Sequence, residues 1–240
     1  MNITKKFVSK LLSVVDQGLV NGLGTPVPGQ MCVEAAVCYA QGLPHSDRPT
    51  CVGDAVRAFK IALNDADWSS DAARAAGMRK LAVAQLGSDN IDQKAFAKIV
   101  AEQTIRRVLP IALRNAANAN PEHAEALNKA AKNCEELGTL DAANAAYDAA
   151  NDAYDAAYAA DAADAAYAAY AAYDAYDAAN AAYYAVTHAV DAVDAVVYAV
   201  NAARYAVVDN DSFLLISADI ALQALIQLDS PGCKFLYLCD

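Results

Sequence analysis

The stretch DAADAAYAAYAAYDAYDAANAAY, residues 161–183, consists only of Ala, Tyr, Asp and Asn. It lies within residues 141–208, which contain neither Gly nor Pro and in which 32 of 68 residues are Ala. Ala has the highest helix propensity, whereas Gly and Pro interrupt helices. We therefore predict that residues 141–208 form helix.

The spacing of the larger side chains in this tract matches no simple helix face. From residue 155 to residue 176 a residue other than Ala returns at every third position. Three residues turn an α-helix by about 300°, so the bulky groups slip backward by about 60° per triplet and circle the helix. A single helix of this length would measure about 100 Å, against a radius of gyration of about 18 Å for a compact chain of this size. We expect the tract to bend or break, with residues 183–190 as the favoured place.

Residues 1–138 show a different pattern, in which short helical periodicities alternate with Gly- and Pro-rich loops such as GLGTPVPG at residues 22–29. Pro110 is expected to kink or restart the chain. Helices are predicted over residues 7–19, 30–41, 53–64, 69–86, 91–108 and 121–138.

The last part of the sequence is an apolar segment, residues 213–228, followed by SPGCKFLYLCD at residues 230–240. We expect both to dock on the first domain as a terminal helix and its tail. No stretch alternates as a strand would, so the predicted fold class is all-α. Residues 1–138 form an N-terminal bundle of short helices in this prediction. Residues 139–240 form a long, bent or broken Ala/Tyr-rich helical tract with a C-terminal docking helix.

Charge divides the chain sharply. Residues 1–138 carry a net charge of about +2 and residues 139–240 about −13. Nucleic acid binding requires cations that replace counterions, so the acidic region is not expected to bind nucleic acid. It instead favours a basic protein partner, or self-association through the Ala/Tyr helices. The predicted interaction residues are Tyr158, Tyr167, Tyr170, Tyr173, Tyr176, Asp161, Asp164, Asp174 and Asp177.

The cellular compartment is predicted from cysteine usage and hydropathy. A chain of 240 residues with six Cys and a large apolar fraction does not need a disulfide framework, which favours a reducing cytoplasm. No window offers 18 consecutive apolar residues, so no membrane span is expected. The N-terminal residues are interpreted as an amphipathic first helix.

Three residues are candidates for cysteine hydrolase chemistry. Cys32 begins a predicted helix, whose N-terminus can stabilise a thiolate, and His45 and Glu34 are near it in sequence. The alternative is a buried structural cysteine. Glu34 is the charged residue of an otherwise apolar helix, so it is expected to pair with Arg57 or Arg48 or to face a ligand.

A small anionic ligand is a further possibility, because the loop of residues 22–30 precedes a helix N-terminus. The alternative assigns the nearby basic side chains to the outer faces of amphipathic helices. No cofactor or metal is predicted, since the DAAD pairs at 161/164 and 191/194 are best explained as a solvated acidic face. The candidate anion ligands are Arg48, Arg57, Lys60, Arg106 and Arg107.

The segment PGQMCVEAAVCYAQGLPHSDRPTCVGDAVRAFK at residues 28–60, the Ala/Tyr/Asp tract and SPGCKFL at residues 230–236 together resemble a group of uncharacterised bacterial and bacteriophage proteins. The resemblance implies a cytoplasmic, phage-encoded protein aimed at a host process, in the host cytoplasm, and implies no catalytic residue. The leading hypothesis is a non-enzymatic helical interaction protein, an inhibitor of a bacterial defence system that acts by occlusion. The alternatives are a protein that sequesters a nucleotide-like signal and, third, a cysteine hydrolase.

Overall fold

A computed structural model of the chain describes residues 2–159 and 210–240, together with Val197 and Asn201. Over these residues the chain is helical and contains no strand, which confirms the all-α class. Most of the predicted interaction residues, and the break predicted within residues 183–190, lie outside the described residues.

The helices predicted within residues 1–138 and 213–228 begin and end within four residues of the predicted positions, but the helix Leu109–Ala119 is not among them. Pro110 restarts the chain as expected, because it occupies the second position of α6, where its missing N–H leaves no hydrogen bond unmade. Two 3₁₀ helices, Ser88–Asn90 and Pro231–Leu238, accompany the α-helices. The α-helices are α1 Lys5–Val15, α2 Val33–Gln41, α3 Asp54–Asn64, α4 Asp71–Ala84, α5 Gln93–Arg107, α6 Leu109–Ala119, α7 Ala124–Leu137, α8 Leu140–Ala159 and α9 Asn210–Gln227.

Local side-chain and backbone chemistry fixes several helix ends. The Thr4 hydroxyl accepts a hydrogen bond from an amide in the first turn of α1, and the Ser70 hydroxyl does so for α4. Gly42 and Gly138 follow α2 and α7 with φ values of 77° and 61°, a left-handed conformation that glycine adopts without steric cost. Thr4 and Ser70 therefore mark where α1 and α4 begin, and Gly42 and Gly138 mark where α2 and α7 end.

The chain forms two compact units. Unit 1 contains residues 1–97 and 210–240, and unit 2 contains residues 98–209. These units differ from the predicted domains, 1–138 and 139–240. The physical reason is that α6, α7 and α8 pack on one another across residue 138, while α9 packs on α3 and α4.

Helix α4 is at the centre of unit 1, where it contacts α1, α2, α9 and the C-terminal 3₁₀ helix. Its Gly77 allows a close approach by Trp68, since a Cβ there would lie 2.3 Å from the indole ring. The edge-to-face pair of Phe59 and Phe96 adds aromatic packing, with ring centroids 6.2 Å apart. Large side chains fully buried in this core include Leu11, Leu19, Met31, Leu63, Met78, Leu81 and Leu86.

The C-terminal 3₁₀ helix closes the end of α4. The Ser230 hydroxyl donates to the Ala84 carbonyl at 2.6 Å, and the Gly232 amide donates to the Leu86 carbonyl at 2.8 Å. A Cβ on Gly232 would lie only 2.0 Å from the Val83 carbonyl oxygen. Glycine at this position therefore lets the two backbones touch.

Unit 2 is built on alanine faces. Helix α7 packs on α6 and on α8. Small side chains let helix axes approach closely, and the buried surface of these helices is largely alanine. None of the helices in the described part of the chain is long and apolar enough to cross a membrane. The buried alanines of unit 2 include Ala112, Ala116, Ala117, Ala130, Ala131, Ala142, Ala143, Ala146, Ala150 and Ala153.

Candidate functional site

Glu34 and Lys60 form an ion pair inside unit 1. Glu34 lies in the first turn of α2 and Lys60 lies in α3, and both side chains are fully buried. The Lys60 Nζ is 3.7 Å from the Glu34 Oε1. The sequence prediction that Glu34 has a cationic partner is confirmed, but the predicted partners, Arg57 and Arg48, are wrong.

The sequence contained a signal for this pair. Lys60 follows Val56 by four residues and precedes Leu63 by three, and both neighbours are buried. Residues three and four apart lie on the same side of a helix, so Lys60 is on the apolar face of α3. Arg57 directly follows Val56 and is turned away from that face by about 100°.

Burial shifts the pKa of both members of the pair toward their neutral forms. Loss of solvation raises the pKa of Glu34 to about 7, although the charges of Lys60 and Arg57 oppose the rise. Loss of solvation likewise lowers the pKa of Lys60 to about 8, and the charge of Glu34 opposes this change.

A cavity of about 30 Å³ lies beside Glu34. Its wall combines the loop before α2, the first turn of α2 and the C-terminal turn of α3. The acidic groups in the wall do not amount to a metal site: within residues 2–159 and 210–240, no group of three His, Cys, Asp or Glu side chains is arranged to hold a metal ion. The lining residues are Gly22, Leu23, Cys32, Val33, Glu34, Asp47, Ile61, Asn64 and Asp65.

Cys32 also lines this cavity and caps α2. Its Sγ accepts a hydrogen bond from the Ala35 amide at 3.4 Å, and the residue is 4% exposed. Burial raises the pKa of the Cys32 thiol to about 11, which outweighs the lowering by amides at the helix N-terminus. Such a thiol stays protonated at neutral pH, whereas a nucleophilic cysteine acts as the thiolate.

The other proposed partners of Cys32 are engaged elsewhere. The His45 Nε2 is 3.1 Å from the Gly24 carbonyl oxygen, and Glu34 is paired with Lys60. Within the described residues no side-chain hydrogen bond joins Cys32 to His45. The structure therefore offers no assembled Cys–His pair of the kind that activates a nucleophile.

We expect Cys32 to react slowly with iodoacetamide. Because its pKa is about two units above the ordinary value of 9.0, the thiolate fraction at pH 8 should be about 100-fold lower than in the unfolded chain. Peptide mapping after timed labelling, with and without urea, measures the ratio. Burial also raises the pKa of the Cys233 thiol to about 11, so Cys233 should show similar protection in the same sample. Equal labelling rates of Cys32 in the folded and unfolded chain would contradict this assignment.

Three of the predicted anion ligands make structural contacts in unit 1. Arg48 is exposed and its Nε lies 4.0 Å from Asp47, while the Arg57 guanidinium lies 3.5 Å from Asp54. Lys60 is buried against Glu34. A role for these residues in binding an anion stays a prediction.

Arg106 caps the C-terminal end of α7 in unit 2. Its guanidinium donates hydrogen bonds of 2.9, 2.8 and 2.7 Å to the carbonyls of the last three residues of that helix. It also lies 3.2 Å from Glu102, one turn earlier in α5. The last carbonyls of a helix lack partners within the helix and carry its negative end, so a guanidinium is well suited there. Arg107, the next residue, is half-buried.

Replacement of Arg106 by Gln is expected to destabilise unit 2 by about 2 kcal/mol, because three charge-assisted hydrogen bonds are lost. Amide hydrogen exchange over α7 measures the change, and faster exchange at its C-terminal turn is expected. Arg48→Gln is the matched control, since its exposed ion pair contributes about 0.5 kcal/mol or less. Unchanged exchange in the Arg106 variant would show that the cap is not stabilising.

Two surface grooves have the size of small-molecule pockets, which range from roughly 300 to 1,000 Å³. One, of about 330 Å³, lies between α4 and α9 in unit 1. The other, of about 310 Å³, lies between α5 and the α7–α8 connection in unit 2. Neither groove is lined by Arg48, Arg57, Arg106 or Arg107.

Helix α8 carries the described beginning of the acidic tract, and its two faces differ in chemistry. The face that packs in unit 2 is alanine. The outer face carries exposed carboxylates, and within the described residues no Lys or Arg lies within ion-pair distance of them. Tyr147 and Tyr154 are half-buried between the two faces. The exposed carboxylates belong to Asp141, Asp148, Asp152 and Asp155.

The predicted interaction residues fall mostly beyond α8. Tyr158 lies in its last turn, and its side chain is outside the described residues. The remaining four tyrosines and four aspartates of the prediction lie in residues 161–177, which are also outside them. Their role in binding stays a prediction.

Comparison with protein-family models, with curated proteins and with solved structures finds no match to this chain. Evidence on its function therefore comes from its own residues.

Proposed function

We propose that this chain is a non-enzymatic helical interaction protein whose acidic Ala/Tyr region binds a basic surface of another protein. The observation that supports the proposal best is the outer face of α8, an exposed row of aspartates without a cation nearby in the described residues. Helices α6 and α7 of the same unit pack on α8 and so support this face.

The spacing of the row fits a helical binding face. The four aspartates are separated by seven, four and three residues, which keeps them on one side of the helix. They extend over about 21 Å along the helix axis. Opposed charges at an interface steer association and select the partner, and buried aromatic side chains contribute much of the affinity. The Ala/Tyr/Asp sequence that follows α8 supplies both types of residue.

A finer form of the proposal names the partner class. The resemblance to bacteriophage proteins suggests a protein of the bacterial host as the target, and occlusion of a defence protein is the corresponding mechanism. In this form the acidic region covers a basic surface that the target uses for its own function.

Capture from a bacterial lysate at low salt tests the proposal. The immobilised wild-type chain is expected to retain a basic protein that salt releases, because screening weakens the attraction between exposed charges. The variant Asp148→Asn/Asp152→Asn should retain about three- to tenfold less of the same protein, which corresponds to the loss of two exposed ion pairs.

The matched control is Asp54→Asn/Asp89→Asn, which removes the same charge from exposed positions in unit 1. Equal loss of capture in both double variants would indicate a non-specific charge effect and contradict the proposal. Full capture by the Asp148/Asp152 variant would do the same.

A further inference from the structure

The cavity beside Glu34 has the size of a water site. A water molecule needs roughly 10–15 Å³ of such volume, and this cavity provides about 30 Å³. Leu23 and Asp47 in its wall are each partly exposed, so the cavity lies near the protein surface on that side. One or two water molecules fit, whereas a nucleotide does not.

Glu34 presents unused acceptors at this cavity. Within the described residues neither of its carboxylate oxygens receives a hydrogen bond, and the Lys60 ammonium donates none. The distance of 3.7 Å between Nζ and Oε1 is longer than a direct hydrogen bond, which has a usual limit of about 3.2 Å. Buried polar groups at such separations are commonly completed by water.

Asn64 and Asp65 in the cavity wall form hydrogen bonds with groups other than Glu34. The Asn64 amide oxygen accepts from the Val33 amide at 3.2 Å, and its nitrogen donates to the Val20 carbonyl and to Asp65. Asp65 also accepts from the Gly22 amide at 2.8 Å. The side-chain amide of Asn64 is therefore not free to donate to Glu34.

Several charged groups lie around Glu34, but none of those in the described residues donates a hydrogen bond to its carboxylate. Lys60 and Arg57 of α3 favour its carboxylate form, and Asp47 opposes it. From α4, the Arg74 guanidinium donates instead to the carbonyls of Asn64 and Leu19. From α1, the Lys10 ammonium donates to carbonyls at the opposite end of α2. The nearby thiols, Cys32, Cys38 and Cys51, have a raised pKa and stay neutral.

We propose that this cavity binds one or two ordered water molecules, which donate hydrogen bonds to Glu34 and link the buried ion pair to bulk solvent. The water donates the hydrogen bonds that the Glu34 carboxylate oxygens otherwise lack, and it gives the Glu34 proton a path to bulk solvent. The pair then responds to pH in the folded protein, without opening of α2 from α3. This site is independent of the acidic face proposed to bind a partner.

Nuclear magnetic resonance of the wild-type chain tests the proposal directly. Cross-relaxation between a long-lived water and the amide protons of Val33 and Glu34 is expected. Its absence in the wild-type chain would overturn the proposal without any substitution.

Two variants then test whether Glu34 holds the water. Glu34→Met/Lys60→Met removes the acceptors and the ammonium together, and we expect the water signals to disappear. Glu34→Gln retains one acceptor oxygen and nearly the same shape, so the signals should remain. Signals of wild-type intensity in the double Met variant would show that other groups hold the water and would overturn the assignment to Glu34.

Discussion

Gly232→Ala is expected to destabilise unit 1 by about 3 kcal/mol, the upper part of the range for overpacked positions. The added Cβ would lie 2.0 Å from the Val83 carbonyl oxygen and 3.0 Å from the Leu86 amide nitrogen. Both are backbone atoms, which cannot rotate aside as a flexible side chain can. The 3₁₀ helix must therefore move off the end of α4, and its hydrogen bonds to Ala84 and Leu86 weaken with it.

Urea unfolding followed by Trp68 fluorescence measures this effect. Trp68 is the single tryptophan of the chain and lies buried in unit 1, so its emission reports on that unit. Lys234→Ala is the matched control, because Lys234 is exposed in the same 3₁₀ helix and should change stability by about 0.5 kcal/mol or less. Equal midpoints for Gly232→Ala and the wild type would show that the close approach is not required.

Lys60→Met is expected to cost about 3–5 kcal/mol at pH 8, because it leaves the buried carboxylate of Glu34 without its counter-charge. The cost should be smaller at pH 5. Without Lys60 the pKa of Glu34 rises beyond its value of about 7, so at pH 5 the side chain is neutral. Urea unfolding of unit 1 at the two pH values measures the difference, and a cost independent of pH would contradict this account.

The double variant Glu34→Met/Lys60→Met is the control for this experiment. Replacement of a whole buried ion pair by apolar side chains is commonly neutral or stabilising, so its stability should approach or exceed that of the wild type. A double variant as unstable as Lys60→Met would indicate that lost packing, rather than the uncompensated charge, causes the effect.

The same pair predicts how the stability of the wild type depends on pH. Between about pH 4.5 and 7 the unfolded chain releases the Glu34 proton while the folded chain keeps it, so stability falls as pH rises. Between about pH 8 and 10.5 the folded chain has released the Lys60 proton while the unfolded chain keeps it, so stability rises with pH. The contribution of the pair is therefore least favourable between pH 7 and 8.

Local patterns in the sequence predict the fold class and most helix boundaries. Gly42 and Gly138 end helices for reasons that depend on one residue's own conformation, and Pro110 restarts the chain for the same kind of reason. The grouping of the helices depends on packing between distant segments. The apolar character of residues 213–228 predicts that they dock on the first domain, but no local signal indicates that their partners are α3 and α4. The compact units therefore differ from the predicted division at residue 138.

The sequence predicts that Glu34 has a buried cationic partner, but the residues predicted for that role are wrong. An isolated charge in an apolar helix predicts a buried partner of opposite charge, and Glu34 has one. The identity of that partner depends on which face of α3 turns inward, and the spacing of Val56, Lys60 and Leu63 contains this information. Arg106 is different, because its partners are backbone carbonyls of another helix, and no side-chain pattern indicates them.

The discontinuity of unit 1 affects the order in which parts of the protein can fold during synthesis. Residues 210–240, which cover α4 and close its end, leave the ribosome after more than a hundred intervening residues. At roughly 5–20 residues per second, residues 1–97 wait on the order of 10 s for them. During this interval the apolar surface of α4 that α9 will cover stays open, whereas α6 and α7 of unit 2 are adjacent in the chain and can pair as they emerge. Unit 1 can therefore complete its core only after residues 210–240 have emerged.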